Sequence, residues 1–432
     1  MTLDEPVITR VSHSSSLDSP VESSSSTRKR APYYDMTYIL DLTSSIEDPY
    51  SLVKEFIIKV FAEKYGTRPS EGDKLEISQL KGGITNMLLQ GTYLLRGQEE
   101  KFLIRAYGRG TSTIIDRDRE FATHLHLYSH SLAPALHARF GNGLIYGFIP
   151  GKSVHYSSLS HPEIMRAVSN KLAQWHFTLN KNVIQQKIEQ LRRSGSGVRP
   201  DASSSSATNL FEIISQWIDI CPDGLFEQTK DEFRAELQWI KKTIGQVGPT
   251  VVAHCDLLSG NIIVPVNWTE SAYNRTTLPD ILANETAEAQ KTQSYKPSNL
   301  ATFIDYEYAM PAPRGFDLAN HFMEWQGFDC KTELIPEPSM SNPVLRYWAF
   351  HYLAALNHLH RRNPVTPSEK AIDDLIHEVI TWWGMPGFYW GIWSAIQSTI
   401  SEIDFDYSSY AEQRMSEYFS WKTQVGTQLA RL

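Results

Sequence analysis

Two short runs of β-branched residues flank a polar loop in the middle of the chain, and no other feature restricts the fold as strongly. One run includes Val251 and Val252, and the other is residues 262–264 (Ile-Ile-Val). Short apolar runs bounded by polar residues and glycine are typical of strands. The loop between them carries Asp256 and Asn261, so the sequence predicts that a carboxylate and a carboxamide share one loop between two strands.

The loop has the spacing His-x-Asp-x-x-x-x-Asn from His254 to Asn261, and Asp305 ends a third apolar run. Phosphoryl transfer needs a carboxylate that accepts the proton of the attacking hydroxyl, and it needs Asp and Asn side chains that hold magnesium against the phosphates. Asp256 suits the first role, and Asn261 and Asp305 suit the second. The pattern therefore predicts a kinase with these three catalytic residues and with ATP and Mg²⁺ as cofactors. Taken alone, the loop is also compatible with an ordinary polar surface loop.

Further segments resemble the choline and ethanolamine kinase family. They are residues 82–86 (Gly-Gly-Ile-Thr-Asn), 304–308 (Ile-Asp-Tyr-Glu-Tyr), 314–325 and 388–397, in the family's order. The Ile-Thr-Asn form of residues 84–86 and the segment 114–120 are closer to ethanolamine kinases than to choline kinases. The resemblance implies an α+β, protein-kinase-like bilobal fold, with a small antiparallel-sheet N-lobe and a mostly helical C-lobe.

The resemblance also implies an activity, the ATP-dependent phosphorylation of ethanolamine to phosphoethanolamine. This would be the first step of the CDP-ethanolamine route to phosphatidylethanolamine. Choline kinase, or a dual choline and ethanolamine kinase, is the nearest alternative. An aminoglycoside-phosphotransferase-like kinase would share the loop but not the block at residues 316–325. A pseudokinase scaffold is disfavoured because Asp256, Asn261 and Asp305 are all present.

Composition along the chain predicts the domain organisation. Residues 1–32 are serine-rich and poor in apolar residues, which is typical of a disordered tail. We expect an N-lobe for nucleotide binding at residues 33–149 and a C-lobe for catalysis and amino-alcohol binding at residues 150–432. The hinge is expected near residues 146–151. Polar stretches near residues 194–209 and 265–300 predict flexible surface insertions in the C-lobe.

The N-lobe segments contain candidate nucleotide-binding residues. Gly82 and Gly83 permit a tight turn whose amides approach phosphates, although a plain turn is the alternative for two glycines alone. In the kinase plan a cation on the third strand contacts the phosphates and is held by a helix glutamate. Arg105 and Glu120 suit these roles, and a surface salt bridge is the alternative. The candidate set is completed by Thr85 and Asn86 beside the glycines and by Tyr146 and Phe148 at the hinge.

Aromatic residues in the last third of the chain predict an ammonium pocket, because cations bind aromatic faces. Trp390 and Trp393 are three residues apart and share a helical face. A tryptophan stripe packed in the core is the alternative, but Glu324 beside Trp325 favours a cationic ligand. By resemblance to the family, the substrate site comprises Asp256, Glu307, Tyr308, Glu324, Trp390, Trp393, Phe405 and Tyr410. Asp329 stands where choline kinases have another aromatic residue, which weakens the case for a full trimethylammonium cage.

Three polar residues near the loop are expected to organise it. We expect Asp317 to accept hydrogen bonds from the loop backbone or from His254. His254 is expected to order the loop and not to act as an acid or base, and His321 is expected to be a satisfied interior histidine.

Charge and cysteine content limit the partners. The net charge of −8 gives no support to nucleic-acid binding and would suit a cationic substrate. Three widely spaced cysteines are too few for a disulfide framework or a zinc site, which indicates a reducing compartment. No signal-peptide-like or membrane-spanning stretch is apparent. We therefore expect a cytoplasmic enzyme that acts on a small amino alcohol. We expect neither nucleic-acid binding nor integral membrane association, and both a monomer and a homodimer are compatible with the sequence.

Overall fold

The computed structural model describes residues 8–11, 33–36, 50–66, 72–80, 86–95, 97–108, 111–194, 207–401 and 403–429. The chain divides into two compact units. The first takes in Met1–Ile149 and Asn182–Ser204, and the second takes in Pro150–Lys181 and Ser205–Leu432. Residues 182–194 thus belong to the first unit, whereas the sequence analysis grouped them with the C-lobe.

The described strands and helices are named in chain order. The strands are β1 (Ile8–Val11), β2 (Tyr33–Met36), β3 (Lys74–Gln79), β4 (Asn86–Leu95), β5 (Gln98–Tyr107), β6 (Leu136–Phe140), β7 (Gly143–Gly147), β8 (Lys152–Ser153), β9 (Thr250–Ala253), β10 (Ile262–Val264), β11 (Thr302–Phe303) and β12 (Met310–Pro313). The helices are α1 (Ser51–Tyr65), α2 (Arg117–Ser129), α3 (Pro162–Thr178), α4 (Lys181–Ser194), α5 (Leu210–Ile220), α6 (Lys230–Thr243), α7 (Leu278–Thr292), α8 (Arg314–Met323), α9 (Pro343–Leu359), α10 (Glu369–Thr381), α11 (Met385–Ile400) and α12 (Tyr407–Leu429). The predicted α+β class is confirmed.

The first unit is built on a sheet with the strand order β1-β2-β6-β7-β5-β4-β3. The sheet is mixed and not purely antiparallel, because β2 runs parallel to β6. The apolar face of α1, with Phe56, Ile57, Val60 and Phe61, packs into the same core as Phe102 of β5. Burying this face is what holds the helix on the sheet, since a helix of this length is marginal alone.

The expectation of a disordered tail over residues 1–32 is wrong at β1. Residues Ile8–Val11 pair antiparallel with β2, and Ile8 lies opposite Met36. The pairing partner lies more than twenty residues away in sequence, so local composition did not reveal it. The remaining residues of the expected tail, including the basic triplet at 28–30, lie outside the described residues.

The second unit places two small sheets among its helices. In the first, β9 pairs antiparallel with β12, and in the second, β10 pairs antiparallel with both β11 and β8. The chain therefore crosses from one sheet to the other twice, through residues 254–261 and through residues 304–309. These two crossings lie side by side, because Ile304 N donates a hydrogen bond to Asn261 O at 3.0 Å. Within the described residues, no helix has the length and apolar character needed to cross a membrane.

The predicted flexible loop at residues 265–300 is also wrong. The segment contains α7, and Tyr295 after it is only 4% exposed. Asn170 Nδ2 of α3 donates to Tyr295 Oη at 3.0 Å, and Glu285 Oε2 lies 2.6 Å from His351 Nε2 of α9. The segment packs largely through polar contacts of this kind, which leave no apolar periodicity in the sequence. Most of the other expected insertion, residues 195–206, lies outside the described residues.

Candidate active site

The two crossings of the second unit carry the predicted catalytic residues on strained backbone. Cys255 and Asp305 adopt φ angles of 63° and 64°, in the left-handed region that residues other than glycine rarely occupy. Such conformations persist only where surrounding contacts hold them, and they are often found at functional sites. Cys255 directly precedes the predicted base Asp256, and Asp305 is itself a predicted magnesium ligand.

Asp256 and Asn261 are hydrogen-bonded to each other. Asn261 Nδ2 donates to the carbonyl oxygen of Asp256 at 2.8 Å and to its Oδ2 at 3.1 Å. Burial raises the pKa of Asp256 well above its usual value, and the negative charges of Asp305, Glu324 and Glu307 raise it further, while the Asn261 hydrogen bond opposes them. Asp256 thus lies near three further carboxyl groups named in the sequence analysis, and each of them disfavours its ionised form.

Asp317 of α8 holds the beginning of the loop. Its carboxylate accepts hydrogen bonds from His254 N at 3.0 Å and from Cys255 N at 2.8 Å, as predicted. His176 Nε2 of α3 donates a further hydrogen bond at 2.9 Å. Burial alone would raise the pKa of Asp317, but the hydrogen bonds and charge of His176 and the His254 amide outweigh it, so the pKa is lowered. Asp317 is therefore a buried carboxylate with a structural role.

His254 is an organiser of the loop, as expected. Its Nδ1 accepts a hydrogen bond from Asp256 N at 3.3 Å, so Nε2 carries the proton and donates to Ile304 O at 3.1 Å. Burial lowers the pKa of His254 to about 4. The neutral imidazole thereby ties the loop of residues 254–261 to the crossing that contains Asp305.

α8 makes two further contacts with the loop. His321 Nδ1 donates to Leu257 O at 2.9 Å, and its Nε2 accepts from Trp325 Nε1 at 3.3 Å, so it is the satisfied interior histidine that was expected. Asn320 Nδ2 donates to Cys255 O at 3.0 Å and Asn320 Oδ1 accepts from Trp390 Nε1 at 2.8 Å. The sequence analysis missed Asn320, although its position three residues after Asp317 places both on one helical face.

The predicted aromatic residues lie together at the same end of the second unit. Trp393 Nε1 donates to Tyr308 Oη at 2.8 Å, and the Trp390 and Trp393 rings are 5.2 Å apart. The Phe405 and Tyr410 rings are 5.6 Å apart. Tyr407, which the sequence analysis missed, joins the two groups by contacting Trp393 and Phe405. We call these six residues, Tyr308, Trp390, Trp393, Phe405, Tyr407 and Tyr410, the aromatic group.

Glu324 follows the last residue of α8 and has a partner that was not foreseen. Arg414 Nη2 of α12 lies 3.3 Å from Glu324 Oε1. Arg414 also stacks on Tyr410 of the aromatic group, 5.5 Å from the ring centroid. In the sequence analysis, Glu324 among aromatic residues favoured a cationic ligand. The structure shows that the protein itself supplies one cation beside Glu324, the guanidinium of Arg414. Arg414 lies four residues after Tyr410, and this spacing was the available signal.

In the first unit, Arg105 and Glu120 form the expected pair. Arg105 Nη1 lies 3.1 Å from Glu120 Oε1, and their side chains are 8% and 3% exposed, so the pair is not a surface salt bridge. Arg117, which the sequence analysis did not single out, approaches Glu120 Oε2 at 2.9 Å and stacks on Tyr107. Glu120 thus holds two buried arginines at once.

The other nucleotide-binding candidates are placed less completely. Gly82, Gly83 and Thr85 lie outside the described residues, and Asn86 is the first residue of β4. Tyr146 lies in β7, and its neighbour Gly147 donates its amide to Ala135 O at 2.8 Å. The Phe148 amide donates to Lys101 O at 3.1 Å. The amides of residues 147 and 148 are therefore used inside the sheet.

The residues present fit a magnesium ion. Asn261 and Asp305 offer hard oxygen ligands, which Mg²⁺ prefers, and Mg²⁺ is usually bound by one or two carboxylates together with substrate phosphates and water. The described residues contain no group of three His, Cys, Asp or Glu side chains arranged as a metal site. Besides burial, the negative charges of Asp305, Glu324 and Glu307 raise the pKa of Asp256, and a bound cation would offset these charges.

Comparison with known proteins is consistent with this site. The chain is 29% identical over 387 residues to probable ethanolamine kinase A of Dictyostelium discoideum, covering 85% of this chain and 91% of that protein. It is 27% identical over 379 residues to a probable ethanolamine kinase of Nematostella vectensis, covering 86% and 93%. The structure resembles that of an ethanolamine kinase from Plasmodium vivax, with a TM-score of 0.62, 25% identity and coverage of 88% and 90%.

The family model described as choline/ethanolamine kinase matches residues 77–419, which include the loop of residues 254–261, Asp305, Glu324 and the aromatic group. The match spans most of the chain. This protein therefore belongs to the choline/ethanolamine kinase family of phosphotransferases.

Proposed function

We propose that this protein is an ethanolamine kinase, which transfers the γ-phosphoryl group of ATP to the hydroxyl of ethanolamine. The observation that carries the proposal is the position of Asp256. It is hydrogen-bonded to Asn261 and lies within electrostatic reach of Glu324, which adjoins the aromatic group. A proton acceptor and a group suited to an ammonium ion are thus near each other, as a short amino alcohol requires.

In the proposed reaction, Asp256 accepts the hydroxyl proton as the substrate oxygen forms a bond to the γ-phosphorus. The bond between that phosphorus and the oxygen bridging to the β-phosphate breaks, and ADP leaves with the electron pair. Asn261 orients the Asp256 carboxylate through the hydrogen bond to Oδ2. Asn261 and Asp305 would hold Mg²⁺, which supplies charge neutralisation at the phosphates when bound.

The first unit would bind the nucleotide. Arg105, fixed by Glu120, is proposed to contact the ATP phosphates, because a buried guanidinium suits phosphate oxygens better than an exposed one. Gly82, Gly83, Thr85 and Asn86 would approach the phosphates, and Tyr146 and Phe148 would lie near the adenine. Since the amides of residues 147 and 148 are already engaged, adenine recognition would use other backbone groups there.

The aromatic group and the nearby acids would bind the ammonium of the substrate. Trp390, Trp393 and Tyr308 offer aromatic faces, and Glu324 and Glu307 offer negative charge. Ethanolamine has three N–H donors that need oxygen acceptors, whereas choline has none and depends on aromatic faces. A buried carboxylate therefore favours ethanolamine, because binding choline would leave it without a donor.

Choline is the second candidate substrate, and the aromatic group is the observation that favours it. Asp329, by contrast, disfavours choline. Its side chain is exposed and accepts a hydrogen bond from Tyr156 Oη at 3.2 Å. A carboxylate held there does not provide the additional aromatic face that a trimethylammonium cage would use.

A steady-state comparison tests the substrate. With ATP and Mg²⁺, the purified full chain should give a higher kcat/KM for ethanolamine than for choline. Equal or better turnover of choline would overturn the ethanolamine assignment and leave the kinase assignment standing. If ethanolamine is the substrate, the product phosphoethanolamine would enter the CDP-ethanolamine route in the cytoplasm. Among the described residues, Cys221, Cys255 and Cys330 form no disulfide bond.

A further inference from the structure

Arg414 is a buried cation beside the proposed ammonium site that the proposed mechanism does not use. Its side chain is 0% exposed and contacts three groups. Nη2 lies 3.3 Å from Glu324 Oε1, Nη1 lies 3.2 Å from Glu417 Oε2, and the guanidinium stacks on Tyr410. One cation therefore lies between two carboxylates and the aromatic group.

The charges in this cluster do not balance. Burial raises the pKa of Glu324, Arg414 opposes the rise and Glu417 adds to it. When both acids are ionised, the cluster carries one surplus negative charge. Glu324 is 7% exposed, and within the described part of the chain its Oε2 accepts no hydrogen bond, since Arg414 reaches only Oε1. This oxygen belongs to a largely buried carboxylate and is contacted by no donor of the described protein residues, so it is open to a cationic N–H donor that arrives with a ligand.

We propose that Arg414 is a positioning residue for substrate selection: it holds Glu324 by Oε1 so that Oε2 is free to accept an N–H of a primary ammonium. Glu417 neutralises the guanidinium, so Glu324 keeps its charge for the substrate. The inference rests on the proposed function and assigns to Arg414, through Glu324, the choice between a primary and a quaternary ammonium.

The geometry argues against a purely stabilising role for Arg414. A buried ion pair is often no more stable than apolar residues of the same volume. Among the described residues, the Nε and Nη1 atoms of Arg414 donate no hydrogen bond, although Nη1 is close to Glu417. An arginine kept in the core with half of its donors unused is poorly optimised for stability, whereas it is well placed to orient Glu324.

The test compares Arg414→Met with Arg414→Lys in the full chain, using ethanolamine, N-methylethanolamine, N,N-dimethylethanolamine and choline as substrates. Methionine keeps an unbranched stem but lacks the guanidinium that anchors Glu324. The ratio of kcat/KM for ethanolamine to that for choline should fall about 10-fold, mainly through KM for ethanolamine. The effect should decrease as methyl groups replace N–H donors. Arg414→Lys should restore part of the ratio.

Arg346→Met is the matched control. Arg346 forms two ion pairs, with Glu369 and Asp373, and has no assigned role in the site, so this variant should leave the ratio unchanged. Glu417→Gln removes the surplus charge, so it should raise KM for all four ammonium substrates to a similar extent. Double substitution of Arg414 and Glu324 should cost less than the sum of the single changes.

An unchanged ratio in Arg414→Met, with activity toward all four substrates lowered equally, would overturn the inference. If Arg414→Met does not fold, the test rests on Arg414→Lys. A wild-type ratio of kcat/KM for ethanolamine to that for choline in the lysine variant would then overturn the inference. Failure of the proposed function is distinguishable, because it would already appear in the wild-type protein, as equal or better turnover of choline or as no turnover of ethanolamine.

Discussion

Asn261 Nδ2 lies 2.8 Å from the carbonyl oxygen and 3.1 Å from Oδ2 of Asp256, so one carboxamide fixes both the backbone and the side chain of the proposed base. The same Asn261 accepts a hydrogen bond from Ile304 N, next to Asp305. The proposed base and the two proposed magnesium ligands therefore form one connected unit. A substitution in this unit can affect the proton transfer or the metal binding alone only if the hydrogen bonds of Asn261 with Asp256 and Ile304 can still form.

Asp256→Asn should lower kcat by about 100-fold or more, because asparagine preserves the shape of the side chain but cannot accept the hydroxyl proton. Nucleotide binding should be nearly unchanged. Asp305→Ala should instead abolish magnesium-dependent nucleotide binding, since it removes a proposed ligand. Turnover and nucleotide titration with and without Mg²⁺ would measure both effects. More than about a tenth of wild-type turnover in Asp256→Asn would show that another group is the base.

Asp317→Ala should destabilise the protein by about 3 to 5 kcal/mol, because it leaves the His254 and Cys255 amides and His176 without their buried partner. Urea unfolding at neutral pH would report the change, and Asp373→Ala, at a half-exposed site, is the control. A loss below about 1 kcal/mol would mean that the loop is held chiefly by other contacts.

The contribution of Asp317 should also depend on pH. Its folded-state pKa is depressed below 3.8, mainly because the His176 hydrogen bond and charge overcome burial. A depressed carboxyl pKa stabilises the protein above the unfolded-state pKa, and the stabilisation is lost as pH falls through the folded-state pKa. The difference in unfolding free energy between wild type and Asp317→Asn should therefore be constant from pH 7 to 5 and shrink below pH 4. A difference that grows on acidification would contradict this sign.

Replacing residues 265–300 with a short Gly-Ser link should lower Tm by about 5 °C or more, because it removes α7 and the buried hydrogen bonds of Tyr295. Tyr295→Phe should by itself cost about 1 to 3 kcal/mol, since it removes the buried hydroxyl that Asn170 Nδ2 and His351 Nδ1 contact. Val266→Ser, at an exposed site, is the control. An unchanged melting curve for the shortened chain would restore the flexible-loop interpretation.

Glu324→Gln should reduce kcat/KM for ethanolamine by about 1.5 to 3 kcal/mol, the range for charge-assisted hydrogen bonds, and should affect any choline activity less. Trp393→Leu should reduce activity with both substrates, because each ammonium uses the aromatic face. Initial rates with the two substrates side by side would decide. Equal losses for ethanolamine and choline in Glu324→Gln would mean that Glu324 contributes charge but no directed hydrogen bond.

The elements that position the site were largely predictable. The spacing from His254 to Asn261 lies between β9 and β10, as predicted. The role of Asp317 was also foreseen, and the residue lies in the first turn of α8. Strand β1 and helix α7 were not foreseen, since one depends on a distant pairing partner and the other packs through polar side chains.

By itself the sequence determined the catalytic loop, the aromatic residues and the family, because these depend on spacing over a few residues and on residue type. Only the tertiary structure decided how the charge of Glu324 is paired. Arg414 reaches Glu324 across 90 positions, a pairing that was not foreseen, whereas the Arg105–Glu120 pair was predicted. Such pairs form where the packing of separate elements brings long side chains together in a buried environment, and periodicity along one element carries no information about them.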